Sequence, residues 1–210
     1  MPDKKPDETA DDRLRETVVG SRTVHRGAYL EVRVDEILTS DGRRSSRDIV
    51  GHPGAVAIVA LDPDDRVLMV RQFRLAAGRS LLEIPAGTLE RASDGTIEDP
   101  DLAAQRELEE ETGYRAGTWR SLGSFWTAPG FATELMYLYL ATDLVLAHED
   151  RLGPDEDELL ELEHVPWRDA LAKVDSGEVA DAKSLVGLLR LARIMEAAPP
   201  AAARPGGGSG

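Results

Sequence analysis

Over residues 28–38 the apolar positions Leu30, Val32 and Val34 alternate with Glu31, Arg33 and Asp35, the period of two that gives a strand one buried face. Residues 17–24 read as a strand before it, and Ser40, Asp41 and Gly42 make a turn that returns the chain as a third strand over 44–50. A three-stranded meander is marginal alone, so this one must pack on its own core or on a partner. Residues 55–61 (AVAIVAL) are apolar without interruption, as in a strand covered on both faces. The turn at Asp62, Pro63, Asp64 and Asp65 leads into a strand over 67–74, and the two predict a hairpin. A short strand follows at 81–84. Residues 119–126 and 135–141 read as strands joined by the Pro- and Gly-containing loop 127–131. The stretch 147–155 is polar and broken by Gly and Pro, which predicts an exposed, mobile loop, and 159–165 is a last strand. The period then lengthens to that of helices over 167–174 and 182–194, the second offering Leu185, Leu188, Leu189, Leu191 and Ala192 for burial.

One helix stands apart because both of its ends are marked. In EDPDLAAQRELEEETGY, Asp99 is a preferred N-cap, Pro100 suits the first helical position and Gly113 suits the position past the last turn, so the helix spans 100–112. At about 100° per residue, Glu107, Glu110 and Glu111 share one face, while Glu109 points nearly the opposite way. Like charges so spaced cost a few tenths of a kcal/mol per pair, and a cation among their oxygens removes that cost. Carboxylate oxygens are hard donors, so Mg²⁺ or Mn²⁺ is the natural occupant. A solvated acidic face is the plain alternative for the glutamates taken alone.

Charge sharpens the picture. The 210 residues carry a net charge of −14 and no cysteine. A disulfide framework and thiolate metal sites are thereby excluded, and a general affinity for nucleic acid or anionic membrane lacks its basic footprint. An anionic small molecule needs local arginines, and Arg74, in RQFR, is a candidate phosphate contact. The N-terminus has no apolar signal region and no run approaches the ~18 residues of a membrane span, so the cytoplasm is the expected compartment. Composition predicts disorder over 1–15 and 197–210, a β-domain over 16–52 and the main domain over 53–196.

The whole string resembles the signature of the Nudix hydrolases: Gly, five residues, Glu, seven residues, then Arg-Glu-apolar-x-Glu-Glu-x-Gly-apolar. Glu98, Arg106, Glu107, Leu108, Glu110, Glu111, Gly113 and Tyr114 stand at the required spacing. The first glycine departs from it. Strict spacing falls on Ala92, whereas the glycine in the expected context, Pro85-Ala86-Gly87, lies five residues upstream; a lengthened loop over 91–95 is the simplest account. The segments RQFR, LLEIPAG, TAPGF and DEDE resemble the ADP-ribose pyrophosphatase branch, as does Pro129, fifteen positions after Tyr114.

That resemblance implies an α/β fold, an α/β/α sandwich around a mixed sheet, with a small antiparallel N-terminal β-domain exchanged in a homodimer. It implies Mg²⁺-dependent hydrolysis of ADP-ribose to AMP and ribose 5-phosphate. Carried over by position, Glu107 and Glu111 match the principal metal ligands, with Glu110 and the Ala86 carbonyl as contributors. Glu156 matches the proton acceptor and Glu158 a further metal ligand, and an alignment shifted by two exchanges these roles. Arg47, Asp48, Arg74, Ala128, Pro129, Gly130 and Glu134 match substrate contacts. Gly87, Glu98, Arg106 and Gly113 are structural, with Arg106 tying the helix to its loop through Glu98 or a neighbour. Two alternatives stay open: another nucleoside diphosphate sugar or an oxidised nucleoside triphosphate as substrate, and a sensor that binds ADP-ribose without cleaving it.

Overall fold

The alternation over 28–38 becomes β2 (Glu31–Thr39), the middle strand of an antiparallel sheet with β1 (Glu16–Arg26) and β3 (Arg44–Gly51) on either side. The structure is a computed structural model and describes residues 9–147, 152–153 and 159–197. Ahead of the sheet, α1 (Ala10–Leu14) falls in the stretch whose composition predicts disorder. A reciprocal cap forms it: Thr9 Oγ1 accepts from Asp12 N–H at 3.2 Å, and Asp12 Oδ2 accepts from Thr9 N–H at 3.2 Å. The cap satisfies end amides that so short a helix otherwise leaves to water.

A larger sheet is built on β4 (Ala55–Leu61) and runs in the order β10-β5-β4-β9-β8, with β6 added to β5 and β7 added to β4. Its other strands are β5 (Arg66–Arg74), β6 (Arg79–Glu83), β7 (Ala86–Thr88), β8 (Tyr114–Trp126), β9 (Leu135–Leu146) and β10 (Leu160–Pro166). The expected hairpin forms next to its turn, where Ala60 pairs with Leu68 and Leu61 with Val67, and then splits. Farther along that edge β7 pairs with β4, Val56 facing Gly87 and Ala57 facing Ala86, while β5 pairs with β6. The other edge of β4 runs parallel to β9 from Ala55–Met136 to Ala60–Ala141, which makes the sheet mixed. β8 and β9 both run past their expected ends, pairing from Tyr114–Leu146 to Trp126–Leu135. The added half of that ribbon holds Arg115, Gly117 and Thr118, whose polarity hides it from a hydrophobic pattern.

Side chains of β4 leave alternately on two covered faces. Val56, Ile58 and Ala60 meet Ala103, Ala104 and Leu108 of α2 (Pro100–Thr112). Ala57, Val59 and Leu61 share the opposite core with Trp167 and Ala170 of α3 (Trp167–Asp175) and with Leu188, Leu191 and Ala192 of α4 (Ala182–Ala197). The result is an α/β/α sandwich, each fully buried Leu or Ile adding roughly 1.5–3 kcal/mol. The smaller sheet is latched to the larger through β3. Val50 N–H donates to Phe131 O at 2.7 Å, Thr133 N–H to Val50 O at 3.0 Å, and His52 N–H to Thr133 Oγ1 at 2.8 Å. Among the described residues no helix is long and apolar enough to cross a membrane.

Candidate active site

The caps read from the sequence fix the helix that carries the acidic cluster. Asp99 Oδ1 accepts from Asp101 N–H at 2.8 Å, Pro100 opens α2, and Gly113, at φ 73°, closes it by donating to Glu109 O at 2.8 Å. Glu109 does leave on the far side. Its carboxylate takes both Arg115 Nε and Nη2 at 2.7 Å and Leu152 N–H at 3.0 Å, and Arg115 holds it below the usual carboxylate range.

On the near side the cluster is compensated from within. Arg106 Nη1 lies 2.8 Å from Glu107 and 2.7 Å from Glu110, while Arg106 Nη2 reaches Glu98 at 2.9 Å. Burial alone would make the Arg106 cation easier to deprotonate, but Glu98, Glu107 and Glu110 overcome that and hold it charged. The like-charge cost is thus offset by a guanidinium of the same helix. Among the described residues no three acidic or histidine side chains converge into a ready-made cation cage. Glu111 is anchored separately, its Oε2 accepting from Ala86 N–H at 3.0 Å.

Gly87 owes its place to Glu107. A Cβ there would stand 1.8 Å from the Glu107 carboxyl group. The stretch between Gly87 and Glu98, longer than the signature allows, folds into its own small hairpin. Arg91 bridges Ile97, Ala92 N–H donates to Thr96 O at 2.9 Å, and Gly95, at φ 90°, donates to Ala92 O at 2.9 Å. Its base is closed by Glu98 N–H on Glu90 O at 2.9 Å and by Glu90 N–H on Glu98 Oε2 at 3.1 Å. Glu98 therefore returns to Arg106 despite the insertion.

These elements face a cleft of about 1270 Å³ between the two sheets. Ala86, Gly87, Glu107, Glu110, Glu134 and Arg74 line it, as do Glu31 and Arg33 of the N-terminal sheet and Tyr29 from the connection between β1 and β2. Glu134 accepts from Thr127 Oγ1 at 2.5 Å and lies 3.7 Å from His52, whose pKa burial lowers against the pull of that carboxylate. Arg74 is not held in reserve for phosphate alone: its Nε and Nη2 bond buried Glu83 at 3.0 and 2.8 Å. Lys183 also binds Glu83, and reaches Asp181 at 2.9 Å. Arg47 and Asp48 do not line the cleft, and Arg47 Nε bonds Glu16 at 3.1 Å instead. Ala128, Pro129 and Gly130 form the neighbouring loop, also outside the lining. Glu156 and Glu158, and most of the expected loop over 147–155, lie outside the described residues.

The NUDIX domain family profile matches residues 51–185. The chain belongs to the Nudix hydrolase family. Residues 16–50 match a second family, the nucleoside diphosphate sugar hydrolase N-terminal domain. An ADP-ribose pyrophosphatase of Bacillus subtilis is 41% identical, the match covering 81% of this chain and 89% of that one. A methanol dehydrogenase activator of Bacillus methanolicus is 38% identical over 83% of this chain and 91% of its own. A solved structure described as an ADP compounds hydrolase superposes with a TM-score of 0.74, covering 87% of this chain and 95% of its own; at 22% identity it speaks for the fold.

Nudix hydrolases use divalent metal ions, and the donor set of this Nudix site fits one. Glu107, Glu110, Glu111 and the Ala86 carbonyl are all hard oxygen donors, and a chain without cysteine offers no competing thiolate. Gly87 leaves the space that the Glu107 carboxylate occupies. The sequence reading passed over Glu83 and Lys183. The available signal was a carboxylate set in the apolar run LLEIPAG, since a buried acid needs a cation.

Proposed function

We propose that the chain hydrolyses the diphosphate of ADP-ribose to AMP and ribose 5-phosphate. The observation that carries this reading is a cleft lined by Glu107, Glu110, Gly87 and the Ala86 backbone with arginines on its walls, in a chain 41% identical to an ADP-ribose pyrophosphatase. A divalent ion, Mg²⁺ by preference, held by Glu107, Glu110, Glu111 and the Ala86 carbonyl would neutralise diphosphate charge and lower the pKa of a bound water. Arg74 and Glu134, both in the cleft, position the substrate. Arg47 and Asp48 do not line their own cleft, so in this reading they reach substrate across a homodimer. Glu156 or Glu158 takes the proton from the attacking water, and pH–rate profiles of Glu156→Gln and Glu158→Gln separate the two. The cytoplasm is the compartment this reading assigns.

The test is product identification after incubation of the purified chain with ADP-ribose and Mg²⁺, alongside a panel of nucleoside diphosphate sugars and oxidised nucleoside triphosphates. AMP release is expected. A triphosphate turned over about tenfold better in kcat/KM, roughly 1.4 kcal/mol of transition-state binding, would overturn the assignment, and calorimetric binding without AMP release would make the chain a sensor. Glu111→Gln should lower kcat by about two orders of magnitude or more with an unchanged circular dichroism spectrum.

A further inference from the structure

The hairpin inserted between Gly87 and Glu98 delivers a cation to the cleft. Arg26, Arg33, Arg74, Arg91, Arg106 and Lys183 all line it. Most are already matched by carboxylates: Arg26 Nε by Glu31 at 2.9 Å, Arg33 by Asp35 at 2.9 Å, Arg74 by Glu83 at 2.8 Å, Arg106 by Glu98 at 2.9 Å and Lys183 by Asp181 at 2.9 Å. Arg91 differs from them. Its Nη1 donates to Gly95 O at 3.2 Å, and among the described residues no carboxylate pairs with it.

The arm that carries Arg91 is braced by hydrogen bonds. Its turn is closed by the Ala92–Thr96 and Gly95–Ala92 backbone bonds and by Thr96 N–H on Asp94 Oδ1 at 2.9 Å, and its base is tied through Glu98 to Arg106 on α2. A ligand meeting this guanidinium therefore pays little for ordering the backbone behind it. In a chain of net charge −14, an exposed guanidinium at the rim without a carboxylate partner is suited to an incoming anion, and its planar fork matches phosphate oxygens.

We propose that Arg91 is a substrate-binding residue contributed by the insertion, taking a phosphate oxygen of the nucleotide substrate at the rim of the cleft. The contact strengthens binding and leaves the chemical step alone, and it favours substrates with more phosphate charge. This rests on the reading of the cleft as a nucleoside diphosphate site.

Steady-state kinetics on ADP-ribose with Mg²⁺ at two ionic strengths tests it, using wild type, Arg91→Ala, Arg91→Lys and, as a control for net charge, Arg120→Ala, an exposed arginine outside the cleft. Arg91→Ala should raise KM about fivefold to tenfold at low salt, keep kcat within about twofold, and flatten the dependence of KM on salt. Arg91→Lys should recover the salt dependence and part of the affinity, and Arg120→Ala should match wild type. A wild-type KM and salt dependence in Arg91→Ala would overturn the proposal, as would an equal effect from Arg120→Ala. If wild type releases no AMP, the reaction reading fails first. Calorimetric titration of wild type and Arg91→Ala with ADP-ribose then decides the residue alone: weaker binding by the variant supports the contact, and equal binding overturns it.

Discussion

A methyl group at position 87 would lie 1.8 Å from the Glu107 carboxyl, well inside van der Waals contact, so one of the two groups must give way. Gly87 is in a strand paired with Val56, and the mobile partner is the glutamate. Gly87→Ala should therefore cut kcat by about 10²-fold, the scale of loss when a proposed metal ligand is misplaced by an ångström, while thermal unfolding shows a smaller change than a core truncation. Glu83 makes a second residue-scale prediction. Burial pushes its pKa up, but Arg74 and Lys183 outweigh burial and leave it lower than in the unfolded chain. A depressed carboxylate stabilises the fold above its unfolded pKa, about 4.3, and that contribution disappears as pH falls through the folded value. Glu83→Gln should cost about 3 kcal/mol near neutrality, because two cations lose a buried partner. In urea titrations the gap between variant and wild type should close below about pH 4. Gly87 was legible as part of a motif. The use of Glu83 was not, because its two cations come from a neighbouring strand and from a helix about a hundred residues later in sequence.

At the scale of elements, α2 was the most legible because its signals are local. Asp99, Pro100 and Gly113 act on their own turns, and the 3.6-residue period alone separates Glu109 from the other three glutamates. Asp99→Ala should lower stability by about 1 kcal/mol in denaturant titrations, the usual cost of a lost N-cap bond. What the helical wheel left out was Arg106, whose own position on the face supplies the positive charge that the cluster calls for. The insertion was legible as extra length but not as a closed hairpin, since its geometry depends on how Glu90 and Glu98 meet. The hairpin at 62–65 was read correctly at the turn. Its strands diverge because β7 and β6 compete for their edges, a contest fixed by the rest of the sheet.

At the scale of the whole molecule, the mixed sheet was expected from family resemblance and not from pattern: β4 finds its parallel neighbour β9 some eighty residues away, and periodicity carries no record of which strands become neighbours. The cleft likewise arises only when the small sheet is latched to the large one. β1 leaves Val18 55% and Val24 46% exposed, which suits the proposed homodimer; Val18→Asp should shift light-scattering mass from twice the chain toward one chain and reduce kcat/KM with it. Finally, α2 is moored on several sides, by Glu111 to β7, by Glu109 to β8 and Leu152, and by Arg106 to the inserted hairpin. Rolling about its axis would break all of these bonds together. In the proposed ion-loaded state the adjustment falls on torsions of Arg106, Glu107 and Glu110, so the Arg106 side-chain resonance should move on magnesium addition while the helical backbone shifts of residues 100–105 persist.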